Sequence, residues 1–244
     1  MLHKSGYPLW ILTFFMLTLF LSACGYTRTS INDPRKLVSL STAKMQQLKG
    51  FQYQINRTGE PAFLDYNETI SFRKAEGFYV IPDRVTAKVR VITSLIVAEV
   101  NIISIGDKQW ETNLVTGAWQ RVPAEYAFQP QTLLNPETGL QAILEEQLYD
   151  LTLLGLDEIE ELPGKKLHHI HGLLNDDTAY NLTYGMIDNE TLDVDIWVDP
   201  ESYVIHRVIV IDPMNEGEDE DTVWQIDFWN FDKVIEINPP LEEK

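Results

Sequence analysis

Residues 85 to 91 read Val-Thr-Ala-Lys-Val-Arg-Val, with apolar side chains at 85, 87, 89 and 91 and polar ones between them. Strict alternation of this length fits a pleated strand with one buried face, because successive strand side chains point to opposite sides. The pattern recurs. Phe51, Tyr53 and Ile55 alternate with Gln52, Gln54 and Asn56. Further strand-like segments cover 68–73, 77–81, 96–106, 109–114, 117–122, 165–174, 179–187, 191–199, 203–212 and 222–238. They follow one another at intervals of about 10 to 12 residues, with turn chemistry such as Gly106-Asp107 between them. That spacing specifies a large antiparallel sheet, since parallel strands need a long crossover between them.

Two segments change period. Asp33-Pro34 opens a helical pattern that runs to Lys49, with Leu37, Leu40, Met45 and Leu48 on one stripe and Gly50 ending it. A second helix is expected from Pro136 to Leu151. Asn135 serves as its cap, Pro136 suits the first helical position, Glu137 favours the positive end of the helix dipole, and Leu140, Ile143, Leu144, Leu148 and Leu151 form its apolar stripe. A helix with one apolar face needs an apolar partner, which the sheet supplies. The fold class is therefore α+β: a large antiparallel sheet with two or three helices laid over it. Between such layers lies either a solid core or a lumen that holds apolar ligands, and periodicity fits both. If a lumen is present, its wall is expected from Val89, Val91, Val100 and Ile102 of the sheet and Leu140, Ile143, Leu144 and Leu148 of the helix.

The N-terminus carries a different signal. After Lys4 comes an apolar run from Leu9 to Leu21, about 13 residues, where a spanning helix needs roughly 20. The run ends in Leu21-Ser22-Ala23-Cys24, and Cys24 is the one cysteine of the 244 residues. Charge, apolar length and the small residues before the thiol make an export signal that looks like a bacterial lipobox. On this reading residues 1–23 are a lipoprotein signal peptide and Cys24 becomes an acylated first residue. A diacylglyceryl group plus a further acyl chain, of the palmitate type, suffices for stable anchoring. Residues 24–32 form a short polar tether, 33–240 the folded domain and 241–244 a tail. The expected location is the extracytoplasmic face of the cell membrane, with the membrane itself as a partner through the anchor.

Loss of Lys4 with the signal takes the formal charge from −18 to −19. Nucleic acid is thereby excluded as a partner. The acidic run from Glu216 to Asp221 lies between two strand-like segments and reads as a solvated hairpin loop, its spacing not being that of a calcium loop. His168, His169 and His171 place at most two imidazoles on one strand face, whereas a zinc site needs three or four ligands. No metal or other cofactor is expected. No Gly-x-Ser-x-Gly elbow, phosphate loop or His-Glu-x-x-His motif occurs, and the chain reads as a binding protein rather than an enzyme.

The order of these features resembles the LppX/LprA/LprF/LprG family of lipoproteins over residues 33 to 240. The resemblance is carried by the Asn135-Pro136 helix start with Gly139-Leu140, the Ile196-Trp197-Val198-Asp199 strand with its turn, and the closing strand before Pro239-Pro240. It implies a LolA/LolB-like half-open antiparallel barrel, closed by helices around an apolar cavity. It also implies an envelope lipoprotein that carries an acylated lipid or glycolipid between membranes or carriers, with an envelope transporter as a further partner. An envelope sensor or scaffold on the same fold, acting through a protein partner, is the alternative.

Overall fold

The computed structural model describes residues 31–65, 67–94, 96–123, 130–135, 137, 139–175, 180, 183, 186–187, 191–215, 217 and 219–241. Cys24, the leader and most of the tether lie outside them, as do Pro136 and most of the strand expected over 179–187.

Among the described residues, twelve strands form one antiparallel sheet. In chain order they are β1 (Gly50–Thr58), β2 (Ala62–Phe63), β3 (Ile70–Val80), β4 (Arg84–Thr93), β5 (Val97–Ile105), β6 (Lys108–Thr112), β7 (Trp119–Val122), β8 (Tyr149–Asp157), β9 (Leu167–Asn175), β10 (Thr191–Val198), β11 (Ile205–Asp212) and β12 (Thr222–Trp229). The spatial order is β7-β6-β5-β4-β3-β1-β12-β11-β10-β9-β8, with β2 paired to β3. The first and last long strands thus meet in the middle, Tyr53 opposite Phe228 and Ile55 opposite Ile226. One meander runs outward from β1 to β7, and a second runs inward from β8 to β12. The edges β7 and β8 do not pair, so the sheet is not closed.

Local breaks bend the strands. Register shifts interrupt β3 between Phe72 and Lys74, β8 between Tyr149 and Thr152 and again between Leu153 and Gly155, and β10 at Trp197/Val198. Each extra residue raises the local twist and curls the sheet. Gly77 is required for the β3–β4 approach, because a Cβ there would stand 1.8 Å from the Thr86 carbonyl oxygen.

Three helices are described. In α1 (Pro34–Gln46) the Asp33 carboxylate accepts from Arg35 N at 3.0 Å and Lys36 N at 3.3 Å, while Leu37, Val38 and Met45 are buried. The chain between the two sheet edges carries α2 (Pro130–Leu134) and α3 (Leu140–Glu146). The expected helix 136–151 is therefore shorter. Asn135 does not cap it: its Oδ1 accepts from Glu137 N at 2.8 Å in the stretch ahead of the helix, whose N-cap is Gly139 with no side-chain bond. Leu151 belongs to β8, where Tyr149 pairs with Leu173 and Leu153 with Ile170. Leucines at 144, 148 and 151 suit a helix, and ladder pairing with β9 overrides that preference. Two expected strands, 68–73 and 77–81, are one strand, β3. The closing stretch 222–238 is a strand only to Trp229. Among the described residues of 179–187, Tyr180 and Thr183 are helical rather than extended.

α1 and α3 are tied by polar contacts. Glu145 accepts from Ser39 Oγ at 2.9 Å and Thr42 Oγ1 at 2.5 Å, and Arg35 reaches the Glu145 carbonyl at 3.0 Å and the Leu148 carbonyl. Beside them one part of the concave face is solid. Phe51 packs on Tyr79 and edge-on to Phe228, both with ring centres 5.4 Å apart. Among the described residues no helix is long and apolar enough to cross a membrane.

Candidate functional site: a cavity on the concave face

The rest of the concave face is hollow. A cavity of about 610 Å³ lies between the sheet and the α2–α3 segment. Strands β3 to β5 supply Phe72, Ala75, Ala87, Val89, Val91, Val100 and Ile102, and the helices supply Leu133, Leu134, Leu140 and Ile143. The far side comes from Leu174, Val210, Trp224 and Ile226. Period-two alternation explains the sheet's share. Val89, Val91, Val100 and Ile102 fall on one face because Val89 pairs with Val100 and Ala87 with Ile102. Phe72 stacks on Trp224 at 5.5 Å, which joins the two meanders across the floor.

Six of the eight positions expected in the wall line this cavity: Val89, Val91, Val100, Ile102, Leu140 and Ile143. Leu144 and Leu148 do not. They are 0% and 2% exposed and lie off the cavity wall. The contributors not anticipated are the short helix α2 and a polar strip. The alternation of Trp224, Ile226 and Phe228 in β12 was a usable signal for the floor; nothing in the spacing of Leu133 and Leu134 marked them.

The polar strip lies on β6 and β7, along one edge of the sheet. Glu111 is opposite both Ile102 and Gln120, and Gln120 Nε2 donates to its carboxylate at 3.2 Å. Gln109 is 3% exposed, and its Oε1 has no hydrogen-bond partner among the described residues. Glu111 is the one charged group among the described lining residues. Phe63, Leu64 and Leu114 line the cavity and are 37%, 44% and 41% exposed, which places its mouth at the end of β2 and β6.

The histidines lie elsewhere. His169 and His171 share the convex face, where Asp195 Oδ1 meets His169 Nε2 at 2.9 Å and His171 Nδ1 at 3.3 Å. His169 also stacks on Trp197 at 4.2 Å. His168 points the other way, and burial lowers its pKa. Among the described residues no group of three or more His, Cys, Asp or Glu is arranged to hold a metal ion.

The model of the LppX_LprAFG lipoprotein family matches residues 33–237. Two solved structures share the fold. LprF from Mycobacterium bovis aligns at a TM-score of 0.61 with 16% identity, over 85% of this chain and 96% of that one. The Mycobacterium tuberculosis lipoprotein LppX aligns at 0.57 with 13% identity, over 84% and 97%. A LolA superfamily protein from Nitrosomonas europaea, NE2245, aligns over 84% of this chain at a TM-score of only 0.28. No curated protein matches the chain.

Proposed function

Because the chain belongs to the LppX_LprAFG lipoprotein family, we infer that it is an envelope lipoprotein, anchored through Cys24, that binds an acylated lipid or glycolipid and carries it between membranes or carriers. The observation that carries this reading is the cavity. Its volume of about 610 Å³ lies within the 300 to 1,000 Å³ usual for ligand pockets, and its wall is mostly aliphatic and aromatic. Such a wall rewards long acyl chains at about 25 cal/mol per Å² of apolar surface removed from water.

The polar strip argues for the other end of the ligand. With Glu111 as its one charged group among the described residues, the wall offers a phosphate no basic partner. Gln109 Oε1, Glu111 and Gln120 suit hydroxyl donors, as on glycerol or a sugar. Selectivity then rests on chain number and length more than on headgroup charge. The family is one of lipoproteins, and binding rather than catalysis is the role proposed.

The test is direct. The anchored protein is purified from its own host and extracted with organic solvent, and released lipids are identified by mass spectrometry. Transfer of a fluorescent diacyl lipid between vesicles is then compared with a heat-denatured control. Co-purified acylated lipid and faster transfer are expected. Without either, the sensor or scaffold reading replaces the carrier.

A further inference from the structure

Of the thirteen exposed large apolar side chains among the described residues of this acidic protein, seven lie on three neighbouring tips at one rim of the sheet. The β4–β5 hairpin presents Ile92, Ile96 and Val97, which are 37%, 59% and 62% exposed, and the β6–β7 turn presents Leu114 and Val115 at 41% and 92%. Phe63 ends β2 and Leu64 follows it. Pairing puts all three tips together: Ile70 lies opposite Thr93, Phe63 opposite Ser71, and Asn101 N donates to Thr112 Oγ1 just before the β6–β7 turn. Hydrogen bonds brace the described residues of the tips. Thr93 N donates to Ile96 O at 2.9 Å while Ile96 N donates to Thr93 Oγ1 at 3.1 Å, and Asn113 Oδ1 accepts from Val115 N at 2.9 Å and Thr116 N at 3.0 Å. At the opposite rim the β3–β4 and β5–β6 turns carry Asp83 and Asp107. Exposed apolar side chains gathered in this way mark an interaction surface.

The start of the fold lies on the same rim. Thr58 pairs with Val223, Val223 with Ile211, Ile211 with Asp193, Asp193 with Leu173, and Leu173 with Tyr149. Leu148, next to Tyr149, accepts through its carbonyl from Arg35 in the first turn of α1. Asp33 therefore stands on the rim that bears the tips, whereas α1 runs toward Gly50 at the other end. The nine residues from Cys24 to Asn32 span at most about 30 Å when fully extended. An anchor at Cys24 holds this rim within that distance of the bilayer.

We propose that the Phe63/Leu64, Ile96/Val97 and Leu114/Val115 tips dock on the lipid bilayer in which Cys24 is anchored, so that the cavity mouth they surround opens onto the membrane. The proposal rests on the anchoring and lipid-carrier reading above and adds the surface through which loading occurs. It also specifies the bilayer's charge. The β11–β12 loop lies on this rim, where Asp219 N donates to Glu60 Oε1 at 3.1 Å and Met214 N to Asp221 Oδ1 at 3.0 Å. Glu60, Asp219 and Asp221 thus share the rim with the apolar tips, so a zwitterionic surface is favoured and an anionic one repels. Apolar contact then supplies the attraction.

The anchored chain is reconstituted in phosphatidylcholine vesicles with spin-labelled acyl chains, carrying an environment-sensitive fluorophore on a cysteine introduced by Val115→Cys or, separately, Ile96→Cys. Neither residue lines the cavity. Asp107→Cys at the opposite rim is the reference, and the chain without a substitution is the blank for Cys24. Quenching several-fold stronger at 115 and 96 than at 107 is expected, weakening when phosphatidylglycerol is added. Equal quenching at all three positions overturns the proposal. So does shielding at 115 and 96 that follows protein concentration instead of spin label, since a second copy or another protein then covers the rim. Organic extraction of the same preparation separates the two readings: acylated lipid without quenching refutes the docking alone, and quenching without acylated lipid refutes the carrier alone.

Discussion

Two tryptophan substitutions distinguish a lumen from a loosely packed core. Leu144 is fully buried off the cavity wall, whereas Val100 is half-buried and faces into about 610 Å³ of empty volume. Leu144→Trp adds bulk where none fits, which costs ~1–3 kcal/mol in a packed interior. For a domain of this size each kcal/mol moves the melting temperature by roughly 2–4 °C, so a loss of about 4–8 °C is expected for a mid-range cost. Val100→Trp places an indole in open volume, and the melting temperature should stay within about 2 °C of the parent. Ligand capture should move the other way. An indole that displaces two methylenes of a bound acyl chain forfeits ~0.8 kcal/mol for each, close to a tenfold loss of affinity. Circular dichroism melting and titration with a fluorescent acyl probe read the two quantities on the same samples. If Val100→Trp melts as low as Leu144→Trp and captures the probe undiminished, the cavity is not where the ligand lies.

Acid should weaken the fold through His206. Burial first, and then the Lys165 ammonium 3.1 Å from Nε2, pull its pKa from 6.5 down to about 4. The unfolded chain takes up this proton below pH 6.5 and the folded one only near pH 4. Stability is therefore lost as pH falls through that window, by up to ~3 kcal/mol before solvent screening, and His206→Gln should flatten urea midpoints measured there. Asp227→Ala should cost about 3 kcal/mol in urea unfolding at neutral pH, because Arg207 Nε, 2.6 Å from Asp227 Oδ1, is left buried with only the half-exposed Glu161 beside its Nη2. Cys24→Ser should release the chain to the medium or block its processing. Mature-sized protein that still sediments with membrane would contradict the anchor.

The strands were legible where one face is apolar and the other polar without interruption. Residues 85–91 and 51–56 fall where alternation places them, since a single-residue slip would turn every apolar side chain to solvent. Reading failed where a pattern served two structures or a neighbour decided. Lys74, Ala75 and Glu76 looked like a break between strands, yet Gly77 lets β4 approach closely enough for β3 to run through. Leu148 and Leu151 continue a helical stripe from Leu144, but an antiparallel partner at β9 draws the chain into a strand.

The cavity itself was only half legible, for a reason that can be placed on two adjacent residues. Ile143 and Leu144 sit on the same apolar stripe, and both were expected to face a lumen. What separates them is the roll of α3 about its axis. That roll is set by Glu145, whose carboxylate is held by Ser39 and Thr42 of α1, more than 100 positions earlier in the chain. With Glu145 turned to α1, Leu144 is fully buried away from the cavity, and Ile143 is left lining it. Successive helical residues differ by about 100°, so one polar contact of this kind determines which apolar side chain is wall and which is core.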